Sequence, residues 1–394
     1  MISVVEAKKL IDDNTKLLQS EMVQLYEATG CILAQDIFSP MDTPPFNQSA
    51  MDGFAFRFQD WDGKNKLKVI GEIQAGNYFS GMLKKGEAIR IFTGAPVPDG
   101  ADTVVMQEKV SVVEKQLFIN DSQLKKGANI RLKGSHTGKG NLAMKSGSKI
   151  TPGAAGFLSG MGFSEVKVFP FPWVCIITTG KELMQPGNKL ENGQVYECNS
   201  YSLNAALSEL GIKRKKIFSV DDNENKITVL IRKNLPDCDV MIVTGGVSVG
   251  DYDFVNKAFE NCGVKTIFHK VKQKPGKPVF FGTYRNTLVF GLPGNPAAVL
   301  SCYYEYIVPA LRKMIGFEKG METKYKLPLS SSFIKKGGLT YFLKGKISVN
   351  EVIPLQQQES YQMNSFVFAD CIIELEENKT DYHKGEIVEV HPLN

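Results

Sequence analysis

The sequence is poor in the residues that build covalently or metal-held scaffolds. Its seven cysteines (Cys31, Cys175, Cys198, Cys238, Cys262, Cys302, Cys371) are scattered, odd in number and never spaced as CxxC. That argues against a disulfide framework and for free thiols in a reducing compartment. The four histidines (His136, His269, His383, His391) are too dispersed to suggest a zinc site by spacing. No apolar run approaches the length needed to cross a bilayer, and the start Met1-Ile-Ser-Val-Val-Glu-Ala-Lys-Lys9 carries no signal-peptide pattern. A cytoplasmic protein without membrane contact is expected. The net charge of +5 is modest, and the lysines at 213, 215 and 216 do not by themselves make a basic groove, so no nucleic-acid partner is expected. Internal repeats and low-complexity tracts are also missing.

What is present is an ordinary folded composition, 43% apolar and 23% charged. A chain of 394 residues is too long for one core, so about two to four domains are expected. Ser3 with Glu6 three places on reads as a capping box that starts one helix, and Glu21 to about Ala34 reads as a second, interrupted by Gly30. Both need a partner surface distant in sequence, which the Gly- and Ser-rich stretch 140–169, with Leu142, Leu158 and Val166, can supply. From Pro44 to His136 short β runs such as Leu67–Ile70 and Ala88–Phe92 alternate with Gly, Pro and Asp, the texture of an inserted β domain.

From Trp173 strands and helices alternate: Trp173–Ile177, Ser202–Leu210, Lys215–Val220, Asn225–Asn234, Asp239–Thr244, Phe254–Cys262. Strands near Val279–Phe281 and Thr287–Phe290 follow, then a helix from Pro296 to about Met314. This predicts a mostly parallel sheet with helices on both faces. The last eighty or so residues return to β runs, including Phe366–Leu375 and Glu386–Val390, as in a small β-barrel-like domain. The expected fold is thus an α/β multidomain protein in four parts: 1–43 with 137–170, 44–136, 171–317 and 318–394.

The chemistry concentrates in three turns. Gly245-Gly-Val-Ser-Val-Gly250 ends an apolar strand; Lys274-Pro-Gly-Lys-Pro278 is cationic; Gly291-Leu-Pro-Gly-Asn-Pro296 opens a helix. Glycines let backbone N–H groups approach an anion where a Cβ would obstruct it. Asn295 as N-cap with Pro296 at the first helical position would leave free N–H groups facing an anion. Each turn alone is weak evidence, but ligands of open α/β sheets collect at the carboxyl ends of strands. Loop carboxylates form a second signal: Asp52 in Ser49-Ala-Met-Asp-Gly-Phe54, Glu182 in Thr178-Thr-Gly-Lys-Glu182, Asp222, and Asp253 after the glycine loop. Carboxylates beside a phosphate cradle commonly hold Mg²⁺. Asp221 and Asp251 read more simply as cap or turn residues. Thr93, in Phe92-Thr-Gly-Ala95, can donate to a ligand or satisfy a backbone group.

Together with Pro45-Phe-Asn-Gln-Ser-Ala-Met-Asp-Gly-Phe-Ala55, Gly86-Glu-Ala-Ile-Arg-Ile-Phe-Thr-Gly-Ala95 and Gly100-Ala-Asp-Thr-Val-Val-Met-Gln-Glu108, these turns closely resemble the molybdopterin molybdenumtransferase family, MoeA and the gephyrin E domain. The likeness runs over essentially the whole chain in the same order. It implies that molybdate is inserted into adenylated molybdopterin with Mg²⁺-dependent hydrolysis of the phosphoanhydride, releasing AMP and molybdenum cofactor. It also implies a central three-layer molybdopterin-binding domain at 171–317, flanked by an α-containing N-terminal domain, an inserted β domain and a C-terminal β domain.

Carried over by position, the resemblance makes Asp52, Thr93, Glu182 and Asp253 active-site residues, with Asp52, Glu182 and Asp253 concerned with metal or with organising the reacting groups. Gly245, Gly246, Ser248, Gly250, Asp222, Lys270, Pro293, Asn295 and Pro296 fall around the nucleotide and pterin. Lys274, Lys277, Pro278 and Ser365 form part of the molybdate pocket. The family's homodimer, with its site shared between subunits, is implied as well; a molybdopterin adenylyltransferase and apo-molybdoenzymes are the possible further partners.

Some positions depart from the pattern. His136 replaces a usual Asp, Ala298 a Ser, and Lys344 an Arg, the last predicting weaker oxyanion affinity because the bidentate fork is lost. Asn47 and Glu197 replace common Asp residues. A molybdopterin adenylyltransferase and a non-catalytic dimeric scaffold are the competing readings.

Overall fold

The computed structural model describes residues 1–246, 254–317 and 324–393. Ser248, Gly250, Asp251 and Asp253 therefore lie outside the described residues. The chain divides into two compact units, one of residues 1–34, 149–151 and 165–394, the other of residues 35–148 and 152–164.

The larger unit is built on a six-stranded sheet in the order Lys215–Val220, Val174–Thr179, Val240–Thr244, Thr287–Leu292, Phe280–Tyr284, Lys265–His269. The first four strands are parallel; Phe280–Tyr284 alone runs antiparallel to its neighbours, in a hairpin with Thr287–Leu292 on one side and against Lys265–His269 on the other. Strand alternation divides the core in two. Val174, Ile176, Val240 and Ile242 face Leu203, Leu207, Val299 and Leu311, together with Val4, Ala7 and Ile11 of the N-terminal helix. Cys175, Ile177, Met241 and Val243 face Ile227, Ile231, Val255 and Phe259. The result is a three-layer αβα stack, as the strand–helix alternation predicts. Lys215 Nζ donates to Asn204 O at 3.0 Å, and Lys216 lies 4.6 Å over the Trp173 ring, so these two lysines are engaged in local packing.

The helix expected from Pro296 to Met314 is present but is not uniform. It runs α over Pro296–Cys302, π over Tyr303–Ile307 and α again over Val308–Met314. Pro309 lacks the N–H that would bond the carbonyl of Glu305, and the wider turn falls at that gap.

The Ser3 cap is confirmed, its hydroxyl accepting from Glu6 N–H at 3.1 Å, and the helix spans Val4–Asn14. The second N-terminal helix is not formed. Glu21–Gln24 is instead a strand paired antiparallel with Glu165–Val168, followed by one 3-10 turn at Leu25–Glu27 and a short strand at Ile32–Leu33. Fewer than ten residues precede Gly30, whose φ is +90°; so short a helix is marginal without tertiary support, whereas the 165–169 strand offers a complete ladder.

At the C-terminal end a sheet joins Gln273–Lys274, Thr340–Ile347, Cys371–Leu375, Ile387–Pro392 and Tyr325–Pro328, with Val352–Pro354 on one side. The β run expected from Phe366 begins only at Cys371, because Asn364–Phe368 coils into a short helix. The Ser365 hydroxyl, directed at Gln357 O and Gln362 O, supports that turn.

In the smaller unit a six-stranded sheet runs Thr103–Met106, Gly53–Phe56, Glu87–Ile91, Leu67–Ile73, Gln116–Ile119, Val110–Val113, and a helix spans Pro152–Gly160. Gly53 is required where its strand crosses Val105: an added Cβ would fall 1.9 Å from the Val105 carbonyl oxygen.

Candidate functional site

In the larger unit the carboxyl ends of three parallel strands converge on one cradle. Gly245 follows Val240–Thr244 at φ +88°, and a Cβ there would lie 2.4 Å from Thr179 O and 2.9 Å from Thr179 Oγ1. A Cβ on Gly246 would meet Val255 at 2.8 Å and approach Asp222 Oδ1 to 3.8 Å. Gly294, after the third strand, stands 3.8 Å from Gly245 Cα by the same measure. Its carbonyl accepts from Asn199 Nδ2 at 2.9 Å. Around this point Thr178 Oγ1, Thr179 Oγ1, Asn199 Oδ1 and Asp222 Oδ1 are buried without a hydrogen-bond partner among the described residues. Unmade hydrogen bonds of buried polar atoms are costly, so a cluster of them calls for a polar partner, a water or a ligand. Sequence reading found Asp222 and both glycines but missed Thr178, Thr179 and Asn199. The available signal was a pair of threonines closing an otherwise apolar strand.

Glu182 is exposed beyond Gly180, its main-chain oxygen accepting from Val195 N–H at 3.0 Å. Glu197 is buried and accepts from Ser200 N–H at 2.8 Å, so it acts as a helix cap. Asp221 pairs with Lys226 at the surface.

The cationic loop sits against the C-terminal sheet, because Gln273–Lys274 pairs in parallel with Thr340–Tyr341. Gly276, at φ +83°, leaves no room for a Cβ, which would stand 2.5 Å from Cys302 Sγ. Lys274 Nζ lies 3.3 Å from Glu359 Oε1 and 5.7 Å over the Tyr341 ring. Lys277 is exposed, and Lys270 is half-buried at φ +79°. Pro278 is half-buried in the same loop, and Pro293 is buried ahead of Gly294.

Three expectations here require correction. Asn295 stands at the N-cap position, but its side chain makes no cap bond; Nδ2 donates to Ser360 Oγ at 2.8 Å. The N–H groups of Ala297 and Ala298 are not free, since both reach Ser360 O, at 3.0 and 3.2 Å. Backbone from the C-terminal part thus fills the helix end where an anion was expected. Lys344 is buried, not presented to an oxyanion, and donates to the carbonyls of Gln357, Glu359 and Gln362. Burial, only partly opposed by Glu359, pulls its amine down to about 8. Ser365 is buried, and its hydroxyl donates to Gln357 O at 3.0 Å or Gln362 O at 3.1 Å.

In the smaller unit Asp52 and Thr93 are brought together across the sheet end. Asp52 Oδ1 accepts from Thr93 N–H at 2.8 Å and from Thr93 Oγ1 at 2.7 Å. The Thr93 amide, then its hydroxyl, and at longer range Arg90 hold the Asp52 carboxyl below the usual carboxylate range. Oδ2 accepts no hydrogen bond among the described residues. Arg90 itself is stacked over Phe54 and Phe92, each at 5.1 Å. His136 packs edge-on against Phe157 at 5.3 Å, and Asn47 accepts from Lys133 N–H at 2.9 Å.

Among the described residues only Glu305, Glu374 and His391 bring three possible metal-ligand atoms close together. Lys8 Nζ already stands there, 2.7 Å from Glu305 and 3.0 Å from Glu374, so an ammonium balances the carboxylates.

Three family descriptions match in order: the MoeA N-terminal region (domain I and II) at residues 2–162, a probable molybdopterin binding domain at 175–313, and the MoeA C-terminal region (domain IV) at 326–393. A molybdopterin molybdenumtransferase of Haemophilus influenzae is 32% identical over 100% of this chain and 99% of its own. Another, from Staphylococcus epidermidis, is 32% identical over 99% and 95%. Crystal structures of the molybdopterin biosynthesis MoeA protein from Pyrococcus horikoshii superpose with TM-scores of 0.84 and 0.79, at 31% and 29% identity, covering 100% of this chain and 99% and 100% of theirs. From end to end, with the glycine cradle and the Asp52–Thr93 pair in it, the chain belongs to the MoeA family of molybdopterin molybdenumtransferases.

Proposed function

We propose that this protein inserts molybdate into adenylated molybdopterin, hydrolysing the phosphoanhydride and releasing AMP and molybdenum cofactor. The observation that carries the reading is the strand-end cradle, where Gly245 and Gly246 admit a ligand against Thr178, Thr179, Asn199 and Asp222 oxygens that have no hydrogen-bond partner among the described residues. Backbone N–H groups there would hold phosphate oxygens, and the polar side chains would orient the nucleotide and pterin. Lys274 and Lys277 would receive molybdate as point charges. Asp52 is kept ionised by Thr93 and offers to the reacting groups its Oδ2, which accepts no hydrogen bond among the described residues.

Mg²⁺ takes hard oxygen ligands, and carboxylate oxygens with unused acceptor capacity fit it. Asp52, Glu182 and Asp253 would hold the ion, which when bound supplies charge neutralisation at the phosphoanhydride. The cytoplasm is the proposed location; no described helix is long and apolar enough to cross a membrane. We retain the four-part division given above as a proposal, supported by the pairing of Glu21–Gln24 with Glu165–Val168 on either side of the insertion.

The reading is tested by offering purified protein either ATP with molybdopterin or adenylated molybdopterin with molybdate. Turnover of the second pair alone is expected. Turnover of the first would make the protein an adenylyltransferase, and binding without turnover of either would make it a scaffold.

A further inference from the structure

Glu359 is absent from every motif of the sequence, yet it is the counter-ion of Lys274, at 3.3 Å. The loop that carries it is fixed along its backbone. Lys344 Nζ donates to the carbonyls of Gln357, Glu359 and Gln362, and the Gln358 amide donates to Lys344 O at 2.8 Å and Leu355 O at 2.7 Å. Ser360 O takes the first N–H groups of the helix at Pro296. Against this anchored backbone the Glu359 side chain is 55% exposed and Lys274 42%, so the ion pair can part without disturbing the loop. A cleft of about 490 Å³ opens beside the pair, lined among others by Lys274, Lys335, Lys336, Tyr341 and Gln358.

A carboxylate is itself an oxyanion and competes for the same ammonium. A pair this exposed is worth little, so a second oxyanion can displace it. We propose that Glu359 sets the oxyanion affinity of the site as a built-in competitor that molybdate must displace from Lys274. The proposal rests on the reading of Lys274 as a molybdate ligand. Because the competition is electrostatic, it weakens as salt screens both anions.

The test is equilibrium titration of molybdate into the full chain and its E359Q, K274A and doubly substituted forms, at low and high ionic strength. Glu359→Gln keeps the shape and the backbone anchors. It should tighten binding about two- to five-fold at low salt, with the gain shrinking at high salt and vanishing when Lys274 is alanine. Unchanged or weaker binding by E359Q, alongside weaker binding by K274A, overturns the proposal and leaves the reading of Lys274 standing. If K274A binds molybdate as the wild type does, that reading falls and the proposal falls with it.

Discussion

At the scale of single residues, Asp52 is the group whose surroundings are most specific. Both Thr93 donors converge on one oxygen and hold its pKa down. Asp52→Asn keeps an acceptor for Thr93 but removes the charge, and kcat should fall on the order of 10²-fold or more. Thr93→Val leaves the amide donor and deletes the hydroxyl, so the apparent pKa of Asp52 should rise. The acid limb of the kcat/KM profile then moves to higher pH; a limb that stays in place would detach Asp52 from the rate. Asp52 was legible in the sequence because a turn glycine follows it, and Gly245 and Gly246 because they end an apolar strand. Thr178 and Thr179 were not, since nothing local distinguishes a strand-end threonine that meets a ligand from one that bonds backbone. Asn295 was half legible: its position as N-cap follows from the Asn-Pro pair, whereas its partner Ser360 lies far along the chain.

The same contrast between local and distant determinants governs the elements. The Ser3 helix and the strand–helix alternation are written in neighbouring residues and appear as predicted. The Glu21 strand depends on a ladder supplied by residues 165–168, and so it was misread as a helix. The π turn at Tyr303–Ile307 contains the buried Glu305, which joins three elements of the larger unit. Glu305 meets Lys8 of the N-terminal helix and His391 of the last strand, and His391 also faces Glu389 and Glu374; Lys324 pairs with Glu389. Burial alone would lower the His391 pKa, but Glu305 and Glu389 outweigh it and raise it to about 9. Burial likewise opposes ionisation of Glu305, yet Lys8 and His391 hold it at about 2.

The folded state therefore binds a proton on His391 that the unfolded chain releases above its ordinary value of 6.5. This contribution is full below that pH and lost as pH rises through about 9. Lys344 runs the other way: its folded value of about 8 lies below the unfolded 10.5, so its burial becomes less unfavourable as pH rises between them. The His391 effect should accordingly be read as a difference. The melting temperature of wild type should exceed that of His391→Gln most at pH 6 and converge with it by about pH 9–10. A gap independent of pH would refute the assignment.

For the whole molecule, the homodimer implied by the family resemblance predicts complementation. If one subunit supplies Asp52 and the other Lys274 to each site, D52N and K274A chains mixed and reassembled form heterodimers with one intact site. About a quarter of wild-type activity should return from random mixing of two inactive proteins. Recovery that stays at the sum of the single variants would mean that each site is built within one chain.

The central claim concerns the reaction itself, and AMP release from adenylated molybdopterin tests it most directly. Purified protein with Mg²⁺ is assayed with and without molybdate, and the product is scored by reconstitution of an apo-molybdoenzyme. The account predicts AMP release that depends on molybdate, with active reconstituted enzyme. Tight binding of adenylated molybdopterin with no molybdate-dependent AMP release would contradict it.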